Sequence, residues 1–163
     1  MAGSLLTRAF RSRHLMRAPI WFYRAGVGFL FGSRLLMLEH VGRSSGATRY
    51  AVLEVVSRPT KSSVVIASAV GRKAQWFQNL VAEPQCRVSI GWRRHAEARA
   101  TVLSPEDAVH FLADYQSQHP EVWERLKSLM TDLHGGDPNF ELPLVRLELS
   151  PPPEQRSDRQ VRT

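Results

Sequence analysis

Leu35-Leu36-Met37-Leu38-Glu39-His40-Val41-Gly42-Arg43-Ser44-Ser45-Gly46-Ala47-Thr48-Arg49-Tyr50-Ala51-Val52-Leu53-Glu54-Val55-Val56 is the stretch whose reading decides the fold. An apolar run arrives, a short polar loop follows, and a second apolar run leaves. Bounded apolar runs with Gly and Ser between them predict two strands joined by a tight turn. The loop offers close backbone approach at Gly42 and Gly46, hydroxyls at Ser44 and Ser45, and the guanidinium of Arg43. Arg49 sits just inside the second strand. Backbone N–H groups and Arg forks are what an anion's oxygens require, so the loop can serve as an anion cradle. A solvated hairpin turn is the other reading these residues leave open.

Working outward, the same pattern recurs. Residues 58–62 predict a turn and residues 63–69 a third strand, carrying Val64, Val65 and Ile66. After the loop Val70-Gly71-Arg72-Lys73-Ala74, residues 75–82 predict a short helix stopped near Pro84. Residues 85–92 and 96–103 predict two further strands around an Arg93-Arg94-His95 turn. Ser104-Pro105-Glu106-Asp107 is a helix start, with Ser as N-cap, Pro at the first helical position and acids in the first turn. That helix is expected to run to about residue 118. A second starts at Pro120 and sets Val122, Trp123, Leu126, Leu129 and Met130 at helical spacing, before residues 134–138 break it. Residues 142–149 predict a last strand. About six strands in hairpin succession, without the alternation of strand and helix that parallel sheets need, predict an α+β, mainly β antiparallel barrel with peripheral helices.

At 163 residues the chain is read as one barrel domain, residues 35–149, between a basic aromatic helical segment, residues 1–34, and a disordered tail, residues 150–163. The net charge of +7 is unevenly placed. Residues 1–34 hold six Arg and no acid, whereas the barrel region is balanced. The apolar run at 20–38 is interrupted by Arg24, Arg34 and three glycines, so no spanning helix is expected, and no secretory cleavage pattern follows it. An acid-free Arg-rich start also fits an organelle transit peptide. Two readings of residues 1–34 stand side by side: a helix packed on the barrel, or an interfacial helix with Trp21, Phe22, Tyr23, Phe29 and Phe31 among lipid headgroups and Arg on anionic lipid. The single Cys86 excludes an internal disulfide and reads as a buried thiol. No metal site and no nucleic-acid partner are expected, because neither signature is present.

Gly42-Arg43-Ser44-Ser45-Gly46 with Arg49, the strand Val64-Val65-Ile66-Ala67-Ser68, the helix Gln75-Trp76-Phe77-Gln78-Asn79-Leu80, the Ala82-Glu83-Pro84 stop and the closing Leu142-Pro143-Leu144-Val145-Arg146-Leu147 together resemble one family. It is the deazaflavin-dependent oxidoreductases of split β-barrel type, the nitroreductase-like family that uses coenzyme F420. The resemblance spans about residues 35–149. It implies an FMN-binding or pyridoxamine-phosphate-oxidase-like barrel and coenzyme F420 as cofactor, with FMN as the alternative. By the resemblance, Arg43, Ser44, Ser45 and Arg49 hold the phosphate and oligoglutamate tail, with Arg72 and Lys73 adding charge along its path. Ala67, Ser68, Ala69, Gln75, Trp76 and Asn79 surround the ring. Tyr115, His119 and Trp123 stand where the family meets its substrate and are the catalytic candidates.

The activity implied is hydride transfer from reduced coenzyme to an unsaturated, quinone-like or lipid-like acceptor. A non-catalytic binder of deazaflavin or fatty acid, docked on a membrane surface, is the alternative. The short 71–76 loop and the apolar N-terminal segment resemble the branch associated with membranes and fatty-acid-like ligands. The expected location is the cytoplasm, with peripheral attachment to the inner face of the cell membrane through residues 1–34.

Overall fold

The computed structural model describes residues 32–137 and 139–152. Six strands, β1 (Leu35–Val41), β2 (Thr48–Thr60), β3 (Ser63–Ala67), β4 (Gln85–Ile90), β5 (Arg93–Val102) and β6 (Leu144–Leu149), form a closed antiparallel barrel. Around it the order is β1-β2-β3-β6-β5-β4, with β4 pairing back to β1. Three α-helices accompany it among the described residues, α1 (Gln75–Ala82), α2 (Pro105–Gln118) and α3 (Pro120–Leu133), with a short 3-10 helix at Gly71–Lys73. The antiparallel barrel predicted from the strand succession is the architecture found. Most of the N-terminal segment and of the tail lie outside the described residues.

Alternation decides which side chains enter the barrel. Leu36 and Leu38 of β1, Val64 and Ile66 of β3, Cys86, Val88 and Ile90 of β4, and Val145, Leu147 and Leu149 of β6 form one buried cluster. β5 contributes Ala98 and Ala100 to it, small residues that leave room for Phe77 and Leu80 of α1. That helix touches β1, β2 and β5, so its apolar face closes one end of the barrel. α2 lies outside instead. Its Ala108, Phe111 and Leu112 cover the outward residues Val56, Val65, Ala67 and Leu144. Ser104 caps α2 as its sequence requires, with Oγ accepting from Asp107 N at 3.1 Å.

Several boundaries differ from the sequence reading, each for a local reason. The predicted turn at 58–62 shrinks to Lys61 and Ser62, because β2 continues through Pro59 to Thr60. The β2–β3 register shifts on both sides of Ser57, and such irregular pairing spares the N–H that proline lacks. The turn expected at Arg93-Arg94-His95 sits earlier, at Gly91 and Trp92, where Gly91 takes φ +55°. His95 belongs to β5, at φ 51° beside a register shift, held by Ser89 Oγ and by a close contact from Nδ1 to Glu39 Oε1. The third strand ends at Ala67 rather than residue 69, since residues 68–71 turn on Gly71 (φ +70°). The last strand begins at Leu144 rather than residue 142.

One feature of the register positions the site. β1 pairs with β2 from Leu35↔Glu54 to Val41↔Thr48, whereas β3 joins β2 only from Val55 onward. Ala67, the last residue of β3, therefore lies level with Glu54, at the middle of the long β2.

Candidate functional site

The β1–β2 turn closes on itself. Gly42 N donates to Ala47 O at 2.8 Å, and Gly46 N donates to Gly42 O at 2.7 Å. Glycine is required at both ends for different reasons. A Cβ on Gly42 would stand 2.7 Å from Ser45 Oγ and 3.3 Å from Ala47 O, while Gly46 adopts φ +66°. Ser44 and Ser45 on this turn, and Arg49 just inside β2, are exposed.

From the turn, Arg43 reaches 36 residues along the chain to α1. Its main-chain N–H donates to Asn79 Oδ1 at 3.1 Å, and its Nη1 donates to the same oxygen at 2.9 Å and to Gln75 Oε1 at 3.0 Å. With the oxygen so fixed, Asn79 Nδ2 donates to His40 Nδ1 at 3.1 Å. His40 alternates with Leu36 and Leu38 and so points inward at the end of β1, where it is 4% exposed. Burial first, and the charge of Arg49 across the β1–β2 ladder second, lower its pKa from 6.5 to about 4. The ring is neutral at pH 7, as an acceptor at Nδ1 requires.

The segment between β3 and α1 is pinned from two sides. Ser68 is buried and its Oγ donates to Gly71 O at 2.7 Å. Arg72 forms an ion pair with Glu141, and its Nε lies 2.9 and 3.1 Å from the two carboxylate oxygens. His134 Nε2 and Ala69 O are 2.9 Å apart. Lys73 and Ala69 are exposed, Ala67 packs under α2, and Trp76 is half-buried with its ring edge-on to Phe77 at 5.9 Å.

Tyr115, His119 and Trp123 come together where α2 passes into α3. The Tyr115 ring lies 5.2 Å from His119 and 6.5 Å from Trp123. Its hydroxyl donates to Glu54 Oε1 at 2.9 Å, on the outward face of β2. Burial, then the Glu54 hydrogen bond and charge, push the phenol up to about 12. Because Ala67 is level with Glu54, this aromatic cluster and the 67–69 segment share one region of the β2–β3 boundary.

Two groups thus emerge from the sequence candidates. Arg43, Gln75 and Asn79 are directly bonded, with Ser44 and Ser45 on the same turn and Arg49 at the start of β2. Tyr115, His119 and Trp123 form the second group. The sequence reading missed His40, Glu54 and Glu141, the three side chains that anchor Asn79, Tyr115 and Arg72. The signal for His40 was available: a polar residue at an inward position of an apolar strand needs a buried partner. Among the described residues no cluster of His, Cys, Asp or Glu could hold a metal ion. No helix among them is long and apolar enough to cross a membrane.

Known proteins resemble the chain in fold and in sequence. In solved structures the barrel is similar to an F420-H2 dependent reductase, FDR-A, at a TM-score of 0.50 and 18% identity, covering 71% of this chain and 94% of that one. It is equally similar to the heme storage protein HutZ from Vibrio cholerae, at 0.52 and 14%, covering 79% and 90%. At such identities the likeness speaks for the fold, and one barrel serves unrelated cofactors. Sequence is more selective. The Mycobacterium tuberculosis protein Rv3178, named as a candidate F420H(2)-dependent quinone reductase, is 35% identical over 86 residues, covering 52% of this chain and 71% of that protein. The profile of the F420H(2)-dependent quinone reductases matches residues 15–130. The chain belongs to the F420H(2)-dependent quinone reductase family, oxidoreductases that depend on coenzyme F420.

Proposed function

We propose that this protein reduces a quinone-like acceptor by hydride transfer, with the coenzyme's anionic tail on the β1–β2 turn and its ring beside the 67–76 segment. The observation that carries the reading is the bond set between Arg43 and α1, which seats a cation-bearing turn against the helix that closes the barrel. The residues fit such a ligand. Arg43 has five N–H donors, and Nη1 spends two on Gln75 and Asn79, leaving three directed away from them. Arg49 adds a second exposed guanidinium, and charge-assisted contacts to phosphate or carboxylate are the strong ones. Lys73 contributes more to the tail than Arg72, whose charge Glu141 already balances.

When bound, the deazaflavin ring supplies the hydride, and the protein's part is orientation and exclusion of water. The ring would lie against the 67–69 segment at exposed Ala69, since Ala67 packs under α2 and Ser68 is buried, with Trp76 at its margin and Gln75 held on Arg43. His119 and Trp123 border the acceptor. Reduction of a quinone to a hydroquinone takes one hydride and one proton. Tyr115 keeps its proton to about pH 12 and directs it at Glu54, which leaves His119 or water to protonate the acceptor oxygen.

A lipid-like quinone is the finer reading of the acceptor, reached at an anionic membrane surface through residues 1–34. Its support is the composition of that segment, six Arg with interleaved aromatics and no acid. The test of the function is oxidation of reduced F420 by purified protein with a soluble naphthoquinone, a nitroaromatic and a long-chain quinone in vesicles with and without anionic lipid. Quinone-dependent turnover that exceeds nitroaromatic turnover is expected. Binding of coenzyme without consumption by any acceptor would overturn the enzymatic reading.

A further inference from the structure

Asn79 is 5% exposed in the middle of α1, where an asparagine is a poorer helix former than the alanine or leucine that a closing helix could carry. Three of its carboxamide's four hydrogen-bonding positions are engaged, tying α1 to the β1–β2 turn and to β1. Oδ1 takes both the main-chain N–H and the guanidinium of Arg43, and Nδ2 is anchored on His40 at the end of β1. The network polarity is forced: two Arg43 donors face one atom, which must be oxygen, so the amide nitrogen faces His40, whose Nδ1 must accept. Gln75, one turn earlier on the same helix face, holds the other Nη1 donor. A long flexible side chain on an exposed turn is thereby fixed at main chain and tip before any ligand arrives.

We propose that Asn79 is a positioning residue for the coenzyme's anion site, acting through Arg43 and braced by His40, rather than a wall of the ring pocket. This rests on the reading above that the coenzyme's tail lies on the β1–β2 turn. An arginine that must be immobilised on binding forfeits part of its contact energy to lost rotamer freedom, and one immobilised by the fold does not. Asn79 transfers that ordering step from binding to folding. It also fixes which donors remain: with Nη1 committed to α1, Nε and Nη2 form the edge presented outward, the edge that meets a phosphate or carboxylate in fork geometry.

The experiment is a fluorescence titration of coenzyme F420 onto wild type, Asn79→Ala, Arg43→Ala and the double variant, at several salt concentrations. Circular dichroism and melting curves establish that each is folded. Asn79→Ala is expected to weaken binding about tenfold in the wild-type background and less than twofold once Arg43 is gone, because the two act through one contact. The loss is expected in the coenzyme's KM, with kcat held within twofold. If Asn79→Ala does not fold, Gln75→Ala replaces it. Gln75 is exposed and removes one Nη1 anchor without opening a cavity, and a threefold loss that disappears in the Arg43→Ala background is expected. Additive losses, or affinity equal to wild type in the folded variant, would overturn the proposal while leaving the coenzyme reading standing. Failure of the wild type to bind F420 at all would overturn both.

Discussion

Asn79 Nδ2 donates to His40 Nδ1 at 3.1 Å, so a buried amide is satisfied only while the imidazole is neutral. This makes the α1-closed end of the barrel sensitive to acid. His40 titrates near 6.5 in the unfolded chain and at about 4 in the fold, lowered by burial and by Arg49. Between those values the unfolded state takes up a proton that the folded state refuses. The His40 contribution is therefore complete above about pH 6.5 and is lost as pH falls toward 4, up to about 3 kcal/mol in all. Denaturant melts at pH 7.0 and 4.5 should show the difference. His40→Gln, which keeps an acceptor for Asn79 and does not titrate, should flatten the profile across that window.

Tyr115 and Glu54 form the second linkage. The phenol should ionise at about pH 12, later than a free tyrosine. Glu54→Gln removes the carboxylate's charge and should lower that midpoint while leaving it above 10, since burial is the larger cause and remains. A spectrophotometric titration, read as the difference between each protein and its Tyr115→Phe counterpart, isolates the signal from Tyr23 and Tyr50. Tyr115→Phe should itself cost about 1–3 kcal/mol, since a partly buried carboxylate loses its donor.

Cys86 lies inside the barrel, its thiol pushed up to about 12 by burial and its Sγ 3.5 Å from Ala98 O. A thiol reagent should react with the native protein only at the rate of unfolding, and immediately in denaturant. Fast stoichiometric labelling of native protein would contradict the inward register of β4.

The turn can be tested at its glycines. Gly42→Ala drives a methyl group to 2.7 Å from Ser45 Oγ, which must rotate away and give up its bond from Ala47 N. A loss of about 1 kcal/mol is expected. Ser45→Ala in the same chain removes the clashing atom, so the double variant should be less destabilised than the sum of the two changes. Gly46→Ala meets nothing within 4 Å but must hold φ +66°, and should cost about 1 kcal/mol through backbone strain alone.

The barrel was legible in the sequence because its signals are local. Bounded apolar runs marked β1 and β3, Ser104-Pro105-Glu106-Asp107 marked the start of α2, and hairpin succession excluded a parallel sheet. Misplaced boundaries fell where a local rule was overridden. Pro59 normally ends a strand, yet the shifted β2–β3 pairing tolerates it. Arg93 and Arg94 look like a solvated turn, yet Gly91 at φ +55° had already reversed the chain. The site was legible only as a set of residue types. That Arg43 is bonded to Asn79, 36 residues away, and Tyr115 to Glu54, 61 residues away, follows from the docking of helices on the barrel and has no local signature. Ser68 shows the reverse case: a hydroxyl that the family resemblance sets against the ring is engaged by Gly71 O in its own turn.

The most direct test of the account is the choice of cofactor and its electrostatic grip. Fluorescence titrations of F420 and FMN onto the same protein, with Arg43→Ala and Arg49→Ala beside the wild type, measure both. F420 is expected to bind and FMN to compete poorly, because one phosphate reaches fewer cations than a phosphate with an oligoglutamate tail. Each Arg variant should lose about tenfold or more, the equivalent of about 1.5–3 kcal/mol for a charge-assisted contact, and the losses should shrink as salt is raised. Purified protein that retains FMN and ignores F420, or F420 affinity unchanged in both Arg variants, would contradict it.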